Sequence, residues 1–392
     1  MHASATLVHN LKGHTYEVGR LLFSPDGKTL AACDDLMITL WDVDTGTLRS
    51  KSEPLNDQFF EMAFSPDSKW IAAASEDGHA RVWNTKTGQL KHVLSVEAER
   101  MLSLVFSADS KSIVTGSENL RIWDVATGEL QHTLSAPDDR SLSFTAVHER
   151  GEFPYPPEIS EVAFSLDGKL LASACPNTST ISLWDTESWK LGHTIQGCAL
   201  NFSADGKHLA VWASDHETIQ IYNTNTWQLQ SAIEKKEDGP FPGVFSPDSK
   251  SFVTKSGHQI QIWSAETGKA IKTFVNSRQK VLAEFEDPQE EICKLVFSPD
   301  GKILISGAEE CSLRLQNVED GDLLLELQHE DGARDVYNSS WTRGGPPAVE
   351  VLFGGDGEKV AIAFPDGSVR IWDVRWETTH AKQGKLEMIE EL

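Results

Sequence analysis

Positive charge is scarce: 35 Lys and Arg stand against 59 Asp and Glu in 392 residues, a formal net charge of −24. Nucleic-acid backbones are held by clustered Lys and Arg, so direct nucleic-acid binding is not expected. The acidic excess serves solubility, and it also suits a partner with a basic surface, because complementary fields speed encounter. Cysteine is sparse too. Cys33, Cys175, Cys198, Cys293 and Cys311 form an odd set without a CxxC pair, which argues against a disulfide framework or a zinc knuckle and fits small core residues in a reducing compartment. No stretch approaches the ~20 apolar residues that cross a bilayer, and MHASATLVHN lacks a basic region followed by an apolar run. Neither export nor membrane insertion is expected, and the anticipated setting is intracellular, cytoplasmic or nuclear. The glycan-acceptor tripeptides at Asn177, Asn201 and Asn338 therefore carry no weight.

Catalytic signatures are missing as well. The 13 histidines show neither HExxH nor clustered ligand spacing. Doubled acids such as Asp34 with Asp35 fall in turns or loops, and no serine or cysteine has a recognisable elbow or partner. Gly27, Lys28 and Thr29 invite comparison with a P-loop, but that loop needs a glycine five positions before Gly27, where Leu22 stands. No catalytic residue, cofactor or metal ligand is assigned.

What is present is repetition. FSPDGK at Phe23 recurs as FSPDSK at Phe64, FSADSK at Phe106, FSLDGK at Phe164, FSADGK at Phe202, FSPDSK at Phe245, FSPDGK at Phe297 and, degraded, FGGDGEK at Phe353. Pro, Asp and Gly in that order make a turn: Pro sets φ, Asp bonds back to the backbone, and Gly accepts a positive φ. Downstream of each phenylalanine comes an apolar residue, a ring and a small polar group, at Trp41, Trp83, Trp123, Trp184, Tyr222, Trp263 and Trp372, with Gln316 in the seventh copy. A second tight turn follows (DTG, KTG, ATG, ETG, EDG), and Trp189 and Trp227 take the glycine's place in two copies. Turn residues alternating with β-branched and aromatic runs give four short strands per unit. A lone four-stranded sheet cannot cover both its faces, whereas radial stacking covers both and leaves short edges.

These residues resemble the WD-repeat β-propeller family from about residue 5 to residue 376. The resemblance implies an all-β chain: one eight-bladed propeller of four-stranded antiparallel blades over residues 1–376, followed by a short tail, 377–392. Outer strands share apolar residues four apart (Leu90 and Leu94, Leu130 and Leu134, Leu191 and Ile195, among others). Leu7 and Leu11 supply the same spacing ahead of the first unit, so the N-terminal strand is expected to complete the last blade and to bury both leucines. Family members tie each blade with a histidine, a hydroxyl, a turn Asp and the Trp. Here the resemblance assigns His14, Asp35 and Trp41 to blade one, with Cys33 replacing the hydroxyl, and Ser75, Asp77 and Trp83 to blade two. Blade eight keeps Asp366 and Trp372, and Trp123, Trp184 and Trp263 are structural in their blades.

The anchor-to-anchor spacings of 58, 52 and 56 exceed the others, which run from 38 to 43. The surplus falls near residues 135–160, 275–291 and 328–348, in connections that join an outer strand to the next inner strand and so share one face. Long loops on a rigid scaffold carry function. Phe153, Tyr155, Tyr337, Trp341 and Arg343 lie in them, of the types that hot spots favour. The residue four before each anchor belongs, by the resemblance, near the channel mouth on that face, which adds Phe60, Leu102 and Phe241. The competing reading is that these side chains only pin loops or fill seams between blades. The expected function is a non-catalytic platform for a protein or peptide, acting as a monomer. The alternatives are a quinoprotein-dehydrogenase type of eight-bladed enzyme and a self-assembling or receptor-like module.

Overall fold

In a computed structural model, the described residues are 2–55, 57–95, 100–135, 158–214, 217–234, 243–256, 259–275, 292–308, 313–327, 350–364 and 366–377. They form eight four-stranded antiparallel sheets. Seven are built from consecutive strands, and each inner strand ends on its anchor: Val18–Phe23, Phe59–Phe64, Ser103–Phe106, Glu161–Phe164, Ala199–Phe202, Val244–Phe245, Ile292–Phe297 and Val351–Phe353. The last strand runs to Glu377, one residue past the expected boundary, and 378–392 lie outside the described residues.

The hydrophobic interior is divided among the seams rather than gathered at a centre. Eight buried clusters each draw on two consecutive blades, including one that joins blade eight (Ala361, Val369, Ile371) to blade one (Val18, Leu21, Trp41). Every sheet therefore covers both faces against neighbours, which is what closes the ring. In most seams the cluster pairs the ring residue of one blade with the last apolar residue of the previous blade's outer strand: Trp123 with Leu94, Trp184 with Leu134, Trp263 with Ile233. Each such buried aliphatic contributes roughly 1.5–3 kcal/mol.

The anchor turns are as the sequence predicts. Ser24 Oγ donates to Asp26 Oδ1 at 2.6 Å, Lys28 N donates to the same oxygen at 3.1 Å, and Gly27 holds φ at 70°. Ser68, Ser110 and Ser249 stand in the glycine's place with φ of 61–62°, a left-handed conformation that costs a side chain of order 1 kcal/mol. The hydroxyl offsets that cost across the seam. Ser68 Oγ accepts from Asp26 N at 3.0 Å, Ser110 Oγ from Asp67 N at 3.1 Å and Ser249 Oγ from Asp205 N at 2.9 Å. Ser110→Ala keeps the strain and loses the bond, so it should destabilise by roughly 1–2 kcal/mol, while Ser110→Gly loses both and should stay within about 0.5 kcal/mol. Urea unfolding of the two variants checks this; equal losses would refute the account.

The second turns are stapled to the preceding blade in a similar way. His92 Nε2 donates to Val125 O at 3.1 Å and Ser231 Oγ to Ala265 O at 2.8 Å. A Cβ on Gly128 would stand 2.7 Å from His92 Nδ1, so at that turn the glycine answers both to its φ of 76° and to the neighbour's ring. Where tryptophan replaces it, Trp189 (φ 53°) and Trp227 (φ 54°) lie against His132 and His193, with ring centroids 5.7 and 5.8 Å apart.

The N-terminal strand, His2–Lys12, pairs antiparallel with Ser368–Glu377 and completes blade eight. One expectation about it fails. Leu11 is 3% exposed but Leu7 is 42% exposed, because the ladder slips by one residue between Leu7 and His9. An extra residue moves everything beyond it to the opposite face. The same slip separates the other pairs: Leu94 sits opposite Ala80 but Leu90 opposite Trp83, so Leu94 is buried and Leu90 half-exposed.

Candidate partner-binding face and channel

The inner strands alternate. Two before the anchor the residue is buried (Leu21, Met62, Leu104, Val162, Leu200, Leu295, Val351), whereas one before it Leu22, Ala63, Val105, Ala163, Val244, Val296 and Leu352 are half-exposed at the heart of the ring. Each of them packs at the margin of a seam cluster. Three before the anchor the same side carries charge. Arg20 Nη1 meets Glu61 Oε1 at 3.4 Å across blades one and two, and Lys294 Nζ meets Glu350 Oε1 at 3.0 Å across blades seven and eight. Ser103 Oγ donates to Ile159 O at 3.1 Å, and Glu161 Oε2 accepts Leu200 N–H at 2.9 Å. Each of these side chains reaches to the next blade, making a polar belt inside the channel. Burial pushes the Glu61 carboxyl up, against the opposing pull of Arg20. Burial raises Glu161 to about 7, resisted by the Leu200 amide and reinforced by the Glu61 charge.

Four before the anchor stands the entry of the inner strand, where the family resemblance expects the channel mouth. In blades one, two and seven the ladder slips there, leaving Gly19, Phe60 and Cys293 as the extra residues. Such a bulge re-aims a side chain away from the sheet. Phe60 is half-buried, and the Arg100 guanidinium sits 5.9 Å from its ring centre. Arg100 Nη2 donates to Glu158 Oε1 at 3.1 Å, and Nη1 lies 3.6 Å from Glu76 Oε1, so it joins the entries to blades three and four and the turn of blade two. Leu102 is half-buried, its N–H donating to Gly116 O at 2.9 Å. Phe60 and Leu102 thus occupy one end of the ring together with Arg100, which no motif marked. Phe153, Tyr155, Phe241, Tyr337, Trp341 and Arg343 lie outside the described residues. The ends of the three long connections, at Ser135 and Glu161, Val275 and Ile292, Leu327 and Val351, each run from an outer to the next inner strand.

The blade-tying network departs from its expected members in blade one. His14 Nδ1 donates to Asp34 Oδ2 at 2.9 Å, not to Asp35, and the hydroxyl is Thr39, which lies 2.6 Å from His14 Nε2 and accepts Trp41 Nε1–H at 2.8 Å. The reason is local. Asp34 also takes the N–H groups of Leu36 and Met37 at 3.0 and 2.7 Å, closing a turn that has no glycine, while Asp35 points outward to Gln58 Nε2. Burial pushes the Asp34 carboxyl up, but His14 and the two amides outweigh it and hold it below its ordinary range. In blade two Ser75 Oγ donates to Asp77 at 2.5 Å, and Arg81 supplies the basic member, 2.6 Å from Asp77 Oδ2. Burial opposes ionisation of Asp77, yet Arg81 and Ser75 bring it to about 2. Arg121, Arg314 and Arg370 hold the position of Arg81, two before the ring residue. Trp83 is buried in its seam; Trp123, Trp184 and Trp263 each donate Nε1–H to a hydroxyl, Thr115, Ser173 and Thr254, at 2.9, 3.1 and 2.8 Å. Asp366 accepts Ser368 N–H at 2.8 Å, and Trp372 Nε1 is buried without a partner.

The family model described as WD domain, G-beta repeat matches residues 5–42, 56–84 and 279–317. The chain is an eight-bladed β-propeller in which three stretches are similar to that repeat. Coronin-7 of Mus musculus is 40% identical to it over 73 residues, 18% of this chain and 8% of coronin-7. Periodic tryptophan protein 2 of Saccharomyces cerevisiae is 26% identical over 131 residues, 33% of this chain and 13% of that protein. The propeller therefore matches only a small part of either relative. The solved structure of the computationally designed Ika8 protein has a TM-score of 0.67 at 20% identity, covering 93% of this chain and 98% of that one, which speaks to fold alone. Among the described residues of the propeller, no group of three or more His, Cys, Asp and Glu is arranged to hold a metal, and no helix is long and apolar enough to cross a membrane.

Proposed function

We propose that this propeller is a non-catalytic platform that holds a protein or peptide with a basic surface at the channel mouth marked by Phe60 and Leu102. One observation carries the reading: the turns and strand entries at that end present Glu17, Asp35, Asp57, Glu76, Glu118 and Glu158 at least partly to solvent, while Arg20 and Arg100 there are already ion-paired. An acidic surface around a half-exposed aromatic favours encounter with cationic segments and gives them an apolar anchor. The three long connections open from the same strand ends and would extend this surface. An intracellular site of action, cytoplasmic or nuclear, belongs to the same proposal.

The test uses fluorescence anisotropy with a panel of Lys- and Arg-rich peptides at two salt concentrations. Phe60→Ala and Leu102→Asp should each weaken the tightest binder at least about tenfold, the loss of roughly 1.4 kcal/mol or more that a hot-spot residue shows. Raising salt should weaken it further. Lys169→Ala, in an anchor turn at the opposite end, should change nothing. Equal losses at both ends would remove the basis for assigning this face.

A further inference from the structure

Side chains from three blades meet beside the entry to blade two. Phe60 is the bulged residue of that blade's inner strand, Glu76 lies in the turn after Ser75 of the same blade, Arg100 leads into blade three and Glu158 into blade four. The Arg100 guanidinium contacts the other three. Its centre is 5.9 Å from the middle of the Phe60 ring, Nη2 donates to Glu158 Oε1 at 3.1 Å and Oε2 at 3.4 Å, and Nη1 lies 3.6 Å from Glu76 Oε1. A ring face and two carboxylates served by two different nitrogens suit a planar fork. An ammonium offers a single nitrogen and no plane to stack.

The three groups around the guanidinium are positioned by their own blades. Each follows or precedes a buried, hydrogen-bonded neighbour: Phe59 N–H donates to Asp35 O at 3.3 Å, Ser75 Oγ to Asp77 Oδ1 at 2.5 Å, and Ile159 N–H to Ser117 O at 2.7 Å. Glu76 N–H is itself bonded to Gln58 O at 2.8 Å. The surroundings of the cation are thus pre-organised. Arg100 holds them loosely by comparison. It adjoins Met101, which is fully buried with its N–H on Ser75 O, and this fixes where the Arg100 side chain starts. Its contacts fall at the long end of their ranges, beyond the 2.7–2.9 Å typical of charge-assisted bonds and close to the ~6 Å limit for a cation over a ring. Arg100 and Glu76 are also about half exposed, and pairs of that kind contribute little.

We propose that Phe60, Glu76 and Glu158 form a guanidinium site for an arginine side chain of the partner, and that Arg100 is a weak internal occupant which the partner's arginine displaces. The inference rests on the reading of this face as the partner-binding platform, and it narrows the partner from any cationic segment to one that presents arginine. A partner's arginine is not tethered at Met101, so it can close on both carboxylates and lay its plane against the ring. Arg100, once displaced, returns to solvent with its charge hydrated.

The test compares two labelled peptides of equal length and charge, one carrying Arg and its twin carrying Lys, by fluorescence anisotropy. Wild type should bind the Arg peptide at least about threefold tighter. Arg100→Ala vacates the site, and because the pair it removes is weak, affinity for the Arg peptide should rise about three- to sixfold. The Lys peptide should gain less than about twofold, from the lost positive charge alone. Adding Phe60→Ala or Glu158→Gln to Arg100→Ala should erase both the gain and the preference for Arg. An equal gain for the two peptides, or no gain for either, overturns the guanidinium site; the platform reading then still stands if Phe60→Ala and Leu102→Asp weaken both peptides. Binding of neither peptide to wild type or to Arg100→Ala overturns both. Should Arg100→Ala fail to fold, competition on wild type decides instead: argininamide should displace the Arg peptide at lower concentration than lysinamide does, and equal potency overturns the site.

Discussion

Removing residues 1–12 should lower the unfolding temperature by more than any single substitution in the chain. The deletion strips ten residue pairings from Ser368–Glu377, exposes that strand as a bare edge, and takes Leu11 out of the cluster that joins blade eight to blade one. Ladder hydrogen bonds worth net ~0.5–1.5 kcal/mol each and one buried leucine worth roughly 1.5–3 kcal/mol make a loss of at least about 5 kcal/mol. Calorimetry of the truncated chain measures it, and adding a synthetic peptide of residues 2–12 should recover part of it by mass action. An unchanged melting curve would mean that the ring does not depend on this strand. Leu7→Ala, by contrast, should cost far less than Leu11→Ala, because only Leu11 faces the seam.

The second large effect is a coupling between two substitutions at the seam of blades six and seven. Gln316 stands where other blades carry a ring, and Phe274 stands where other outer strands end in Leu or Ile. Across other seams those two positions share one cluster, as Leu94 does with Trp123. The large side chain has changed sides: Phe274 fills the seam with Val253, Ile260 and Leu304. Phe274→Leu alone should open space and cost about 1–3 kcal/mol, and Gln316→Trp alone should overpack by a similar amount. The double variant should return to within about 1 kcal/mol of wild type, and its new indole N–H could serve Ser306 Oγ, which is now buried without a partner, as is Gln316 Oε1. Strict additivity in a double-mutant cycle of unfolding free energies would sink the idea.

These two sites also show what a single sequence makes legible. The anchors could be read because a turn with Pro, Asp and Gly is specified by residues adjacent in the chain, and the inner strands do end on all eight phenylalanines. The ring closure could be read because Leu7 and Leu11 repeat a spacing found elsewhere. That spacing misled about burial, since a slip of the ladder leaves no mark in residue types and sends Leu7 outward. Asp35 matched the family pattern by position, yet a turn without glycine gives the bond to Asp34. Arg100 joins three blades through partners at Glu76 and Glu158, contacts between distant segments that no local spacing encodes. Arg81 could have been found: arginine two before the ring residue recurs in four of the eight units, a periodic signal that the search for histidine passed over.

Blade eight has a mechanical consequence. His2 and Glu377 are direct partners at one end of an antiparallel ribbon. Tension applied between these two points would not shear the pairing all at once; it would unzip it rung by rung toward Lys12 and Ser368. The ring would thus open at low force at the one blade made from both ends of the chain, while blades sewn by continuous loops stay shut.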